Sequence, residues 1–488
     1  MGNFSYFITM KIKMRNKYIT SVVLASMALC CSSCSDWLDV NPKSQVKEEA
    51  LFSKETGFQD ALLGIYSTMG EHETYGGHST MGLMEILAQT YSDVYSSSNM
   101  DAAMEYKYDD ETVKGCIDDQ WRGLYKAVAN CNYLLKNVEE NGSVMTDKVR
   151  RIVKGEAMTA RAYLLFDAMR AYAPSYTVGK DADAVPFVDH VTNAPVAPLT
   201  VAETTDKLIA DVIAARELVK DVDPIGPAFE TYSEEAEYDA NDYALDNGFM
   251  LYRTSRFNYY GMTALLARMY MYKGDKANAL KYAKEVIESG RFEFATNTII
   301  DADAAKRPYL KIMQSVAKHE YISGIYVYGL KEKRSDLYFK DLEVEPVINQ
   351  KRKEALFTTL GLDLDLRAKR FFTLNSSSAK EFTCKYMTGT QIPLLKIGEM
   401  YLIAAEASGD ISYLNTMRKY RGYVSDESAE NFDKLLIGEY QRELFAEGQL
   451  FYFYKRKNME TIPNAPVFEK KYYVLPVPDD EIEFGYSK

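Results

Sequence analysis

Glu443 and Glu447 stand four residues apart beside Arg442, and Glu399 and Glu406 lie a little upstream. Paired carboxylates are the equipment of glycoside hydrolysis: one protonates the leaving oxygen and the other acts as nucleophile or base, about 5 to 10 Å away across a cleft. Two glutamates on one helix face do not look at each other across a cleft. Their expected role is structural, pairing with Arg418, Arg421 or Arg442 to lock C-terminal helices together, and no catalytic residue is expected. Asp301 and Asp303, like Asp363 and Asp365, alternate as calcium ligands do but lack the Gly and distal Glu of a calcium loop. His72, His78, His190 and His319 show no paired spacing for zinc, and the chain has neither a Gly-rich phosphate loop nor a GxSxG turn. No metal and no cofactor are expected.

The thiol of Cys34 invites a different chemistry. Lys11, Lys13, Arg15 and Lys17 precede an apolar run from Tyr18 to Cys31, which ends in Ser32-Ser33-Cys34. This order of basic, apolar and small residues is that of an export signal, and the run is shorter than the roughly 20 residues that span a bilayer. A cysteine at the first mature position is the substrate of lipoprotein acylation, and two or three acyl chains (palmitate-like) make a stable anchor where one would be marginal. Residues 1–33 are therefore read as a lipoprotein signal peptide and Cys34 as the lipid anchor. Loss of the four basic residues takes the net charge from −12 to −16, a balance that repels nucleic acid. The other mature cysteines, Cys116, Cys131 and Cys384, are scattered, so a hydrophobic core and not a disulfide framework must hold the fold.

The elements that would carry these residues read as helices. Trp121, Leu124, Val128, Cys131 and Leu135 fall on one face, and a second helix runs through Ala157, Leu164 and Tyr172 to stop at Pro174. A third covers Val201 to Leu218, and residues 221 to 250 read as a long loop. Ala264 to Ala283 reads as two helices turning at Gly274, with Ala267 and Ala279 where the backbones approach, which resembles a tetratricopeptide unit. A second such pair is expected over Leu394 to Ala407 and Ile411 to Tyr420, turning at Gly409-Asp410. Tyr321 to Tyr328 is the convincing strand.

In order along the chain, Cys34-Ser-Asp-Trp-Leu-Asp-Val-Asn-Pro42, Trp121-Arg-Gly-Leu-Tyr125, Gly155-Glu-Ala-Met-Thr-Ala-Arg161, Leu265-Leu-Ala-Arg-Met-Tyr270, Ile392-Pro-Leu-Leu-Lys-Ile-Gly-Glu399, Arg442-Glu-Leu-Phe-Ala-Glu447-Gly448 and Tyr473-Val-Leu-Pro-Val-Pro478 resemble the successive signatures of the SusD/RagB family. The resemblance implies a mainly α body of tetratricopeptide-like repeats with long loops and a few short strands. It implies an N-terminal region over 34–250 and a C-terminal region over 251–488, packed as one body. It further implies a lipid-anchored, surface-exposed protein of a Bacteroidetes outer membrane. Such a protein would capture a glycan for a partner SusC-like TonB-dependent transporter in polysaccharide utilisation, without doing chemistry. The chain departs from the family at Gln449-Leu450-Phe451-Tyr452, where a basic residue and Trp-Asp are usual. It also has 38 Tyr but only Trp37 and Trp121, so the family's tryptophan platform for starch is missing.

Sugar rings present apolar C–H faces ringed by hydroxyls, so their sites need open aromatic planes beside amides and carboxylates. Tyr91, Asp93, Tyr95, Asn99, Tyr106 and Tyr108 offer that mixture on one loop, where the resemblance places part of the ligand site. They are the expected ligand-binding residues, with Tyr326, Tyr328 and Arg334 as weaker candidates. A peptide or host glycoprotein fragment is the alternative ligand, which the missing tryptophans favour; a surface hydrolase would rest on the paired glutamates alone.

Overall fold

Four of the long helices begin where a short polar side chain takes a backbone N–H that has no partner within the helix. Asp110 accepts from Thr112 N and Val113 N ahead of the helix Glu111–Asn141, and Thr146 accepts from Val149 N ahead of Asp147–Tyr172. Thr200 and Glu203 form a reciprocal capping box on Val201–Val219, and Asn258 accepts from Gly261 N at the head of Tyr259–Lys273. Caps of this kind contribute about 1 kcal/mol each. With the preceding helix Glu55–Met69, these five elements are α1 to α5 in chain order; Lys276–Glu288 is α6, Ile397–Ser408 α7, Ser412–Tyr420 α8, Phe432–Glu443 α9 and Leu450–Arg456 α10.

The computed structural model describes residues 48–92, 98–230, 248–306, 312–327, 330, 347–375, 380–383, 385–386 and 391–486. The expected signal peptide and Cys34 lie outside them. Residues 1–54 form one unit, of which 48–51 are helical, and residues 55–488 form another. In the second unit α1 lies on α2, α2 on α3, α3 on α4, α4 on α5, α5 on α6, α6 on α7 and α7 on α8. Stacking each helix on its predecessor buries a shared core, as helical repeats do. From Thr159 to Tyr172, α3 is buried on every side.

The α5–α6 hairpin follows the expected pattern. Gly274 takes the left-handed conformation (φ 82°) and its N–H returns to the last turn of α5, while Asp275 caps α6. Ala267 and Ala279 are fully buried, and Tyr270 stacks on Tyr282 at 5.6 Å. The α7–α8 hairpin turns at Gly409 (φ 72°) as expected, but Leu394 and Leu395 precede its first helix in a strand. A short apolar run does not by itself distinguish a buried strand from a buried helix. Along α2 the buried stripe moves from the expected Leu135 to Leu134, because 3.6 residues per turn drift against a strict three-four spacing.

Strand β1 (Tyr321–Tyr326) pairs antiparallel with β2 (Gln391–Lys396), from Tyr321 opposite Lys396 to Tyr326 opposite Gln391. The head of α5 presses so closely on β1 that a Cβ at Gly261 would stand 2.0 Å from Ser323 Oγ. Val347–Ile348, Lys380–Thr383 and Phe372–Asn375 form a small antiparallel sheet, and Asp183–Pro186 pairs with Pro198–Thr200. Among the described residues no helix is long and apolar enough to cross a membrane.

Candidate functional site

The paired glutamates are buried and saturated. Glu443 accepts from Arg421 Nη2 at 2.8 Å, Arg367 Nη1 at 2.9 Å and Lys396 Nζ at 3.3 Å. Glu447, beyond the end of α9, accepts from Lys385 and Lys396 at 2.6 Å each. Arg367 also binds Asp365 and Glu439, and Arg421 binds Glu320. Of the three expected arginines, Arg421 pairs with Glu443, whereas Arg418 and Arg442 pair with Glu439. Burial works against the charge on Glu443, yet Arg421, Lys396 and Arg367 hold it well below the usual carboxylate range. Burial likewise opposes ionisation of Glu439, and Arg442 and Arg367 bring it to about 2. Carboxylates kept ionised and out of reach of a substrate cannot relay protons. Glu399 and Glu406 are similarly engaged, by Arg268 and by Arg456. Among the described residues no group of three or more His, Cys, Asp or Glu has the geometry to hold a metal.

The tyrosines expected to bind sugar meet a different fate. Asp93 and Tyr95 lie outside the described residues, and Asn99 falls in the short helix Ser98–Met104. Tyr91 is 1% exposed, its hydroxyl donating to Met81 O and its ring edge-on to Phe445. Tyr106, at φ 58°, is 2% exposed; it donates to Leu87 O and lies flat against Tyr472 at 5.2 Å with Phe468 on its edge. Tyr108, half-buried, donates to Tyr472 O at 2.6 Å. The expectation that Tyr91 and Tyr106 are open platforms is thereby corrected. Their faces are covered by segments more than 300 residues away in sequence, which the loop itself does not reveal.

Open tyrosines occur instead where the β1–β2 ladder ends. Tyr326, a weaker candidate in the sequence, is 53% exposed at its last pair; Tyr328 and Arg334 lie outside the described residues. Opposite Tyr326, Gln391 Nε2 donates to Ser255 Oγ at 2.6 Å, and its buried Oε1 has no partner among the described residues. Ser255 N donates to the carbonyl of Tyr252, which is 48% exposed at φ 53°. The C-terminal end of α1 closes the same rim: a Cβ at Gly70 would stand 3.2 Å from Val327. Tyr326 and Tyr252 are thus half-exposed aromatic rings in the neighbourhood of the Gln391–Ser255 pair, a mixture of apolar planes and polar groups of the kind a pyranose site needs. Tyr252 and Gln391 escape sequence reading because one sits in an aperiodic segment and the other ahead of an apolar run. A separate cleft of about 650 Å³ lies between α2, segment 186–196 and the helix Asp479–Phe484. Its indole, Trp121, is 5% exposed under Tyr125 and Tyr172 and offers no open face.

The stacked helix pairs define the class of a helical-repeat protein. Residues 36–227 match the SusD-like family described as starch-binding and associating with the outer membrane. A SusD-like protein of Formosa agariphila is 22% identical over 167 residues, which span 32% of this chain and 31% of that relative. A SusD superfamily structure from Bacteroides vulgatus superposes with a TM-score of 0.64 at 19% identity, covering 88% of this chain and 97% of that one. A surface glycan-binding protein A from Bacteroides thetaiotaomicron, solved in complex with laminarihexaose, gives 0.60 at 16% identity over 88% and 97%. Residues 36–227 thus resemble the SusD-like family, and the structure shares the fold of these SusD superfamily structures.

Proposed function

We infer that this protein captures an oligosaccharide at the Tyr252–Tyr326–Gln391 rim and passes it, without cleaving it, to a SusC-like TonB-dependent transporter. The observation that carries the reading is the pair of half-exposed tyrosines near the end of β1–β2, on a scaffold whose residues 36–227 match a family described as starch-binding. Asp93, Tyr95 and Asn99 are proposed to add polar contacts from their own loop. Acylation of Cys34 is proposed to hold the body at the outer membrane, in line with the family description.

Retention in native gels cast with a panel of polysaccharides tests the ligand class. A retarded band for one glycan, released in Tyr326→Ala, supports the assignment; retention unchanged in that variant and in Tyr252→Ala removes the rim from it. Product appearing from the retained glycan would overturn capture without cleavage. Mass spectrometry of the native N-terminus tests the anchor, and co-purification of a transporter tests the partner. A peptide or glycoprotein fragment is the second reading, favoured by the covered face of Trp121.

A further inference from the structure

Where α3, α5, α7, α9 and α10 converge, a cavity of about 40 Å³ is lined by Arg170, Arg268, Glu399, Gln449, Tyr452 and Arg456 among others. A water needs roughly 10 to 15 Å³ of such space, so the cavity admits two or three water-sized guests and no polyatomic oxyanion of any bulk. Phe166 and Tyr452 cover the two faces of the Arg170 guanidinium at 4.6 and 4.1 Å, leaving only its N–H edge for hydrogen bonds. Nη2 on that edge donates to Asp167 and Gln449, while the buried Nε has no partner.

The acceptors around the cavity are already engaged. Glu399 takes Arg268 at 2.7 and 2.6 Å, Glu406 takes Arg456 at 2.9 and 2.6 Å, and Asp167 takes Arg170 and the hydroxyl of Tyr75. Each of the three arginines thus has one carboxylate. Lys455, packed against the same corner, has none: its buried ammonium donates only to the carbonyls of Arg170 at 2.6 Å and Ala171 at 3.2 Å. Burial and then the charge of Arg170 push its pKa well below the usual lysine value. Each carboxylate of the corner is thus taken up by an arginine, and the Nε of Arg170 is left an orphaned donor, beside walls where Tyr452 and Gln449 bring further N–H and O–H groups. A water accepting from Arg170 would still have two protons to place against acceptors already engaged, whereas a guest that only accepts leaves nothing unpaired.

We propose that this cavity is a structural halide site, in which one chloride-sized monoanion sits on the N–H edge of Arg170 and ties the C-terminal end of α3 to α10. Anomalous diffraction from crystals soaked in sodium bromide is expected to show a peak within about 3.5 Å of Arg170 Nε, the reach of a hydrogen bond to a large anion. In solution, chloride or bromide exchanged at constant ionic strength against gluconate, too large to enter, is expected to raise the thermal midpoint by about 1 to 2 °C per tenfold increase. Gln449→Glu, which places a fixed carboxylate on the wall at nearly constant volume, is expected to abolish both the peak and the halide dependence. A cavity holding water with no anomalous peak overturns the proposal, and so does a halide dependence that persists unchanged in Gln449→Glu.

Discussion

The ion network around Glu443 and the tyrosine rim at the end of β1–β2 use the same residue types that sequence analysis singles out, and put them to opposite uses. In the network every carboxylate meets a guanidinium or ammonium, and the groups are shut away from water. At the rim the rings of Tyr326 and Tyr252 stay half-exposed. The difference lies in exposure: buried carboxylates that meet their counter-ions serve the fold, because a buried polar group stripped of its partner costs about 1 to 3 kcal/mol, whereas rings left at the surface can meet a ligand.

The sharpest way to break this contrast is Glu443→Gln, which leaves Arg421, Arg367 and Lys396 with a shared deficit of negative charge. Losing one partner of a buried network costs about 3 to 5 kcal/mol. Chemical denaturation should show that loss, and a change below about 1 kcal/mol would mean the network is not what holds α9.

Next in size is the response to pH. Glu439 and Glu406 have folded pKa values depressed to about 2, so the stability they contribute is present above about 4.5 and is lost as the pH falls through 2. Glu85 runs the other way. It accepts from the N–H groups of Ala446 and Gly448, but burial raises it to about 7. Its contribution is complete below about 4.5 and is lost as the pH climbs through 7, amounting to about 3 kcal/mol at most. Denaturation midpoints between pH 4.5 and 8 should fall with rising pH in the natural protein and level off in Glu85→Gln; parallel slopes would exclude Glu85 as the source.

Gly398→Ala is a gentler intrusion. Its Cβ would stand 2.4 Å from Glu443 Oε1, so the carboxylate must shift, at an expected cost of about 1 to 3 kcal/mol. Thermal unfolding that matches the natural protein would show the network to be more pliant than its packing suggests. The smallest effect on folding belongs to the rim: Tyr326→Ala should stay within about 0.5 kcal/mol of the natural stability. It should nonetheless weaken glycan binding by roughly 1 kcal/mol, about fivefold, by titration calorimetry. Destabilisation with unchanged affinity would reverse the roles assigned to the two regions.

By itself the sequence determined the helices, their caps and their two glycine turns, because these depend on periodicity and on residues within one turn of each other, as at Thr200 with Glu203 and at Gly274. It also pointed to the pairing of Glu443 with Arg421, whereas the partners of Glu447 proved to be Lys385 and Lys396. Only the tertiary structure decided which tyrosines stay open. Tyr106 is buried because Tyr472 and Phe468 lie on it, while Tyr326, at the last pair of its ladder, is half-exposed. An aperiodic segment has no spacing from which burial can be read, so the fate of its side chains is set by what the rest of the chain brings against them.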